Sequence, residues 1–460
     1  MNIQEIDFQL LKEQNDLKLL ARKMGLSVTN VISSKNNLKD LALNEIEIEK
    51  LQLKLRSSWQ EKSFLKSKDI FKSPPEDEKI QTNSNRKIEY GYERTIQVPS
   101  FENQLHRNFP YYTGFSLIYS SAMAGYLCIL NTLSKIFKNK RKIFSGFIGG
   151  YFESIYLTHD MSNSYFHISY LQNENKISQL DLTKIDALFV EPVRYNFNLE
   201  KTDVFYIFEY IKTNKPPKKV IFLILDTTLM GEAFPINDLL NLGKSIESLI
   251  VVNIKSCLKL HQEGFEFTNV GLVSFYFPKK LDHIREKLFT FMQAQRGITG
   301  TNLSLYEYCL IDNDFFINSI NYTNQIHENT DHFFRNLNLK SNGSIISEII
   351  YPNIDKKVCS LHKCPFIFIK LTTEKEEDYL NFLEYIRNFV EDYKLTIPLR
   401  NSFGFRNICL QFIKSVEDHQ KLIIKVAPGK LRGVKHFLLL ECINKLVNFN
   451  NFELLNSKKG

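Results

Sequence analysis

The chain reads as an α/β fold: a mostly parallel sheet with helices between its strands, a smaller α+β domain after it and a helical extension ahead of it. Three observations predict this. First, residues 220–225 and 249–254 are apolar runs rich in Val, Ile and Leu, of the length of strands covered on both faces. A helical stretch over 237–245 joins them, giving strand, crossover, strand. Second, short apolar runs recur at 115–119, 143–147, 166–170, 187–190 and 270–277, each set apart by polar or helical sequence. Third, the order changes from residue 365. A strand at 366–371 precedes a helix over 379–393 with apolar residues at 379, 382, 383, 386 and 390, then strands near 407–412 and 421–426 and a helix through 446.

The elements between these landmarks follow the same logic. Residues 3–59 are polar and helical in pattern, with Leu10, Leu11, Leu17, Leu20 and Met24 on one side and a turn-like stretch at 33–37, which predicts a helical hairpin. Within it, Leu20-Ala21 followed by Gly25 and Val31 resembles a helix-turn-helix, whose later helix would enter a DNA groove; a packed helical extension accounts for the same residues. Residues 72–87, with Pro74-Pro75 and many charged and amide side chains, read as a linker. After residues 115–119, the small residues Ser120, Ser121, Ala122, Met123, Ala124 and Gly125 open a helix supported by Tyr126, Leu127, Ile129, Leu130, Leu133 and Ile136. A helix spans 279–295. The domain expectation is an extension at 1–72, a linker at 73–89, a large domain at 90–345 and a small domain at 346–460.

Composition narrows the class of function. A chain of 460 residues that is 43% hydrophobic can bury a large core. No run of eighteen apolar residues occurs, and residues 1–20 alternate charge with apolar side chains where a signal peptide would have an apolar centre, so no membrane is expected and the chain reads as cytoplasmic. Seven irregularly placed cysteines argue for reduced thiols. The cluster Cys359, His362, Cys364 would need a second ligand pair to hold structural zinc, and none follows, so no metal is expected. A net charge of +8 calls for no nucleic acid; an anionic substrate or cofactor is sufficient.

Chemistry is expected at the strand ends. Asp226 follows the 220–225 run, and Ser256, Cys257, Leu258 and Lys259 follow the 249–254 run. Open α/β sheets bind ligands outside the carboxyl ends of their strands, so Asp226 and Lys259 can converge on one ligand. An acid and an amine there suit pyridoxal 5'-phosphate: the lysine holds it as a Schiff base, with Lys255 as rival, and the aspartate pairs with the ring nitrogen. The small residues 120–125 at a helix start suit its phosphate, because backbone N–H groups can approach it closely.

With those residues in place, residues 90–450 resemble the Cys/Met-metabolism branch of fold-type I pyridoxal-phosphate enzymes, the cystathionine synthases and lyases. Ser120-Ser121-Ala122-Met123-Ala124 is similar to the family's S-S-G-M-A phosphate loop, and Tyr151-Phe152-Glu153-Ser154 to its Y-G-G-T. Asp226-Thr227-Thr228 is similar to its D-N-T, and Ser256-Cys257-Leu258-Lys259 to its S-x-T-K. The resemblance implies that Ser121, Ala122, Met123 and Ser256 hold the phosphate, that Tyr151 stacks on the ring, that Asn196 in Glu191-Pro-Val-Arg-Tyr-Asn196 touches the ring hydroxyl, and that Lys425 or Arg406 takes the substrate carboxylate in place of the family's arginine, with Arg400 a further substitute. Tyr92 and Arg94, in a Y-x-R segment, would reach the phosphate of a neighbouring subunit, making the protein a homodimer or homotetramer. The activity implied is elimination or replacement at the β or γ carbon of an amino acid. The alternatives are an aminotransferase and a degraded regulatory protein that uses the amino-terminal helices.

Overall fold

The computed structural model describes residues 2–137, 143–162, 166–214, 219–313, 316, 320–338, 343–352, 363–415 and 421–455. It opens with α1 (Ile3–Lys23) and α2 (Leu38–Ser67), each started by an asparagine whose side chain accepts a first-turn N–H, Asn2 from Glu5 and Asn37 from Asp40. Ile6, Leu10, Leu17 and Leu20 on α1 and Leu41, Ile48, Leu51 and Leu55 on α2 are buried, as their spacing requires. This is the predicted hairpin, but it is not a helix-turn-helix. Gly25, at φ +68°, ends α1 instead of turning the chain into a second helix: its N–H bonds the Arg22 carbonyl and the Leu26 N–H bonds that of Ala21. Beyond it, the Val31 and Ile32 N–H groups donate to Gln14 Oε1 at 2.6 and 2.9 Å, so residues 26–36, where a recognition helix would lie, run without helix against α1.

The stretch read as a linker packs onto the large domain. Ile80 and Ile88 are buried, residues Gln81 and Lys87 bridge, and Arg86 pairs with Asp312. Next come α3 (Pro99–Leu105) and a sheet of seven strands: β1 (Tyr112–Tyr119), β2 (Ile143–Ile148), β3 (Phe166–Tyr170), β4 (Ile185–Val190), β5 (Ile221–Asp226), β6 (Leu249–Ser256) and β7 (Gly271–Pro278), in the order β1-β7-β6-β5-β4-β2-β3. All neighbours are parallel except β7, which runs against both β6 and β1. The predicted runs stand within a few residues of these strands.

Side-chain alternation divides the sheet into two packed faces. Phe222, Ile224, Ile250, Val252 and Phe275 share a core with Leu130 of α4 (Ala122–Phe137) and Met292 of α8 (Asp282–Thr299). Leu223, Leu225 and Val251 face the core that holds Phe208 of α6 (Val204–Asn214) and Leu239 of α7 (Ile236–Leu242). The remaining large-domain helices are α5 (Phe152–Ser162), α9 (Leu305–Ile311) and α10 (Ile320–Arg335).

A second sheet is antiparallel, in the order β10-β11-β9-β8, made of β8 (Ile346–Ile350), β9 (Ile367–Leu371), β10 (Cys409–Lys414) and β11 (Leu422–Ala427). With α11 (Glu376–Glu391) and α12 (Val434–Leu446) it forms the expected α+β domain. The hairpin touches both domains: Trp59 Nε1 donates to the Leu310 carbonyl at 2.8 Å, and the Lys435 N–H at the start of α12 donates to Glu45 at 3.2 Å. No described helix is long and apolar enough to cross a membrane.

Candidate active site

The strand β5 ends in Asp226 because its apolar run stops there, and the following turn is built on the same residue, whose Oδ1 accepts the Thr228 N–H at 2.9 Å. Thr227 and Thr228 tie this turn to β6: Thr227 Oγ1 donates to Asn253 Oδ1 at 2.7 Å, and Thr228 Oγ1 accepts the Ser256 N–H at 2.9 Å. The ends of β5 and β6 are thereby locked side by side. Ser121, Ala122, Met123, Tyr151, Asp226, Ser256 and Lys259 are all partly buried, while the strands behind them are almost fully buried. They line the carboxyl edge of the parallel strands, where this class of sheet binds ligands.

Burial raises the Asp226 carboxyl above its ordinary range, and no described Lys or Arg forms an ion pair with it. A small cavity between Asp226, Glu191, Ser154 and Tyr126 separates it from β4. Glu191 sits there because both its oxygens accept backbone donors, Oε1 from the Tyr151 N–H at 2.9 Å and Oε2 from the Tyr195 N–H at 3.1 Å. Burial, with the charge of Asp226 adding, pushes the Glu191 carboxyl up to about 7. The buried Glu191 and the partly buried Asp226 therefore face a small cavity with no lysine or arginine among its described lining residues.

Lys259 sits in the turn after β6. Its Nζ donates to the neutral Ser402 hydroxyl at 2.7 Å and lies 5.6 Å from the Phe403 ring centre. Burial lowers its pKa, against the opposing fields of Glu266 and Glu153, so a larger share of the amine is unprotonated and nucleophilic. The rival Lys255, within β6, is committed to an ion cluster with Glu232, which also pairs with Arg107 and with His261 Nε2 at 3.0 Å.

The start of α4 lies after β1, at the same strand edge. Ser121 Oγ accepts the Ala124 N–H at 3.0 Å, which leaves the first-turn N–H groups of Ala122 and Met123 without partners inside the helix. These donors, the Ser256 hydroxyl, the Tyr151 ring, Asp226 and Lys259 are the set a pyridoxal phosphate needs, so the residues present fit that group.

Other expected residues lie differently. The Asn196 amide is committed to its own turn, donating to Glu200 at 2.9 Å and accepting the Asn198 and Glu200 N–H groups at 3.2 Å. Arg406 is fully buried in ion pairs with Glu13, at 2.6 Å, and Glu263, at 3.3 Å. Lys425 stands near Lys259, buried between Phe366 and Phe403 with its Nζ 5.5 and 5.8 Å from their ring centres, and burial holds its pKa down to about 8. Arg400 is exposed and lies over Phe405 at 4.4 Å. Tyr92 and Arg94 are exposed on a surface turn, with the Arg94 guanidinium 5.3 Å from the Tyr92 ring. Cys359 and His362 lie outside the described residues, and Cys364 is buried.

Sequence reasoning missed Ser402, the double capping by Glu191 and the nearness of Glu153 and Glu266 to Lys259. Only Ser402 carried a signal, since the glycine in Asn401-Ser-Phe-Gly-Phe405 marks a close backbone approach.

No sequence family and no curated protein matches the chain. Its architecture does match solved structures. A cystathionine gamma-lyase from Lactobacillus plantarum, complexed with L-serine, aligns over 82% of this chain and 93% of its own, at 14% identity and a TM-score of 0.54. A methionine gamma lyase from Micromonospora echinospora aligns over 78% and 89%, at 12% identity and a TM-score of 0.54. A putative O-acetylhomoserine (thiol)-lyase from Campylobacter jejuni, which carries N'-pyridoxyl-lysine-5'-monophosphate, aligns over 78% and 87%, at 13% identity and a TM-score of 0.54. Likeness at such identities is likeness of architecture. The mostly parallel seven-stranded sheet, with its antiparallel β7 and its smaller carboxyl-terminal domain, is the fold these cystathionine and methionine lyases share with this chain.

Proposed function

We propose that the chain is a pyridoxal-phosphate-dependent enzyme acting on an amino acid, by elimination or replacement at the β or γ carbon. The observation that carries this is the end of two neighbouring strands: β5 ends in Asp226, a carboxylate in no ion pair with a described Lys or Arg, and β6 is followed by Lys259, an amine whose hydrogen-bond partner is a neutral hydroxyl. Bound pyridoxal phosphate supplies an electron sink for charge that develops at the substrate's α carbon. Lys259 Nζ would hold the cofactor and, as a free amine, would move the proton at the substrate's α carbon. Asp226 would hold a proton at the ring nitrogen, and Tyr151 would offer its ring to a stacked partner. The Ser256 hydroxyl and the first-turn N–H groups of α4 hold the phosphate. Lys425 holds the substrate carboxylate, a role that the buried pairing of Arg406 leaves to it. Tyr92 and Arg94, both exposed, serve the site of a second copy in a homodimer or homotetramer. Seven irregularly placed cysteines, the six described ones buried, accord with a cytoplasmic setting.

The test is borohydride reduction of the protein saturated with pyridoxal phosphate, followed by peptide mass spectrometry. The expected result is loss of visible absorbance with the cofactor's mass at Lys259. Label at Lys255 alone, or none at saturation, overturns the proposal.

A further inference from the structure

The amino-terminal hairpin reaches the loop that covers Lys259, and we propose that Glu13 is a positioning residue for Lys259, acting through Arg406. The inference rests on reading Lys259 as the reactive lysine. Glu13 lies on the buried face of α1 between Leu10 and Leu17, and is 3% exposed. Its Oε1 accepts Arg406 Nε at 2.6 Å and Gln52 Nε2 at 3.2 Å, and its Oε2 accepts Lys430 Nζ at 2.7 Å. The same guanidinium reaches the large domain, where Arg406 Nη1 donates to the Glu263 carbonyl at 2.8 Å, four residues beyond Lys259. It lies 5.5 and 5.8 Å from the Phe265 and Tyr322 ring centres. One side chain thus pins α1, the segment after Lys259 and the small domain together.

The loop entering Arg406 is the cover. Ser402 accepts the Lys259 amine, the Phe403 ring lies beside it, and Gly404 rests on the Lys259 backbone so closely that a Cβ there would come within 2.2 Å of the Lys259 carbonyl oxygen. The Tyr322 hydroxyl donates to the Gly404 carbonyl at 2.8 Å and holds the turn from behind. Both flanks of Lys259 therefore depend on where Arg406 is held. Burial alone would raise the Glu13 carboxyl, but Arg406 and Lys430 outweigh it and hold it down to about 2, so Glu13 carries the full negative charge that keeps the guanidinium in place. Glu263 does not replace it, since burial raises its carboxyl. Removing the charge would leave Arg406 and Lys430 buried without that counter-ion, and the cheapest relief is for the loop to lift from Lys259 and admit water.

The test compares full-length wild type with Glu13→Gln and with Trp59→Phe, which loosens the same hairpin at its large-domain contact and leaves Arg406 untouched. The readout is the pH midpoint of reductive methylation at Lys259, followed by peptide mass spectrometry without cofactor. The groups around that amine, Glu153, Glu266 and Lys425, are unchanged in all three proteins. Glu13→Gln should move the midpoint up by roughly one unit, because admitting water restores the amine's ordinary basicity. Trp59→Phe should leave it in place while lowering the melting temperature. If Glu13→Gln does not fold, Arg406→Lys, which keeps the charge but not the fork, should give the same upward shift. An unchanged midpoint, or equal shifts from Glu13→Gln and Trp59→Phe, overturns the inference. Failure of wild type to trap pyridoxal phosphate at Lys259 would overturn the proposed function without altering this comparison.

Discussion

Lys425 shows what a single residue's surroundings can decide. Its amine is wedged between Phe366 and Phe403, and burial, with the charge of Lys259 adding, holds its pKa down to about 8. A lysine whose pKa is lowered gives up its proton sooner, so the cation that would hold a substrate carboxylate is present below pH 8 and lost above it. The expected outcome is a kcat/KM that falls as pH rises through about 8, and Lys425→Arg should move that fall beyond the measurable range. Lys425→Met should raise KM by about tenfold or more, the worth of one charge-assisted hydrogen bond. At Asp226 the expectation concerns turnover. Asp226→Asn keeps the shape but not the charge, and with cofactor at saturation kcat should drop on the order of a hundredfold, since a buried charge-assisted pair is worth about 3 kcal/mol. Unchanged turnover would remove Asp226 from the mechanism. Asp226 was legible because it sits at the abrupt end of an apolar run, whereas Lys425, inside β11, was reached only through the family resemblance. Glu13 and Glu191 were not, because a lone carboxylate in a polar helix, or one before a proline, looks the same in sequence whether water or a buried arginine faces it.

At the scale of elements, the turn at Gly404 and the first turn of α12 carry the clearest consequences. Gly404 has φ +80°, and any side chain would meet the Lys259 carbonyl, so Gly404→Ala should cost about 1 to 2 kcal/mol by denaturant unfolding from the left-handed backbone, and more from the clash. A variant as stable as wild type would mean that the loop does not seat on Lys259. At α12, Glu45 accepts the Val434 and Lys435 N–H groups, yet burial outweighs Lys435 and both donors and pushes its carboxyl from 4.5 up to about 7. The folded protein therefore holds this proton more tightly than the unfolded chain. Stability from this group is full below pH 4.5 and declines as pH rises through about 7. Glu45→Gln should stabilise the protein at pH 8 by about 1 to 3 kcal/mol and flatten part of that decline, the rest belonging to Glu191. Strands β1 to β7 were legible from apolar runs alone. In contrast, α10 escaped notice because Asn, Thr, Gln and His crowd its sequence, and β8 because its Ser347 and Glu348 face outward and break the run.

For the whole molecule, the hairpin makes one unit out of two domains. Its apolar face is buried with both, and Glu13 and Glu49 neutralise Arg406, Lys430 and Lys435, all buried in the small domain. Thermal unfolding should accordingly show one transition, checked by agreement of calorimetric and van't Hoff enthalpies. A chain lacking residues 1–67 should lose that cooperativity and bind hydrophobic dyes. Two well-separated transitions in the intact chain would show that the hairpin does not couple the domains. The same contacts bear on how the protein is born. Glu13 leaves the ribosome long before Arg406, 393 residues later, and Lys430, 417 residues later. At cellular synthesis rates the hairpin waits about 20 to 80 s with its buried face and its acidic side chains unpartnered. Its polar helices, capped by Asn2 and Asn37, can form alone in that interval, but only chain made as far as Arg406 and Lys430 can close the lock. A messenger truncated ahead of the codon for Arg406 would therefore release a protein whose hairpin is left exposed for proteases to find.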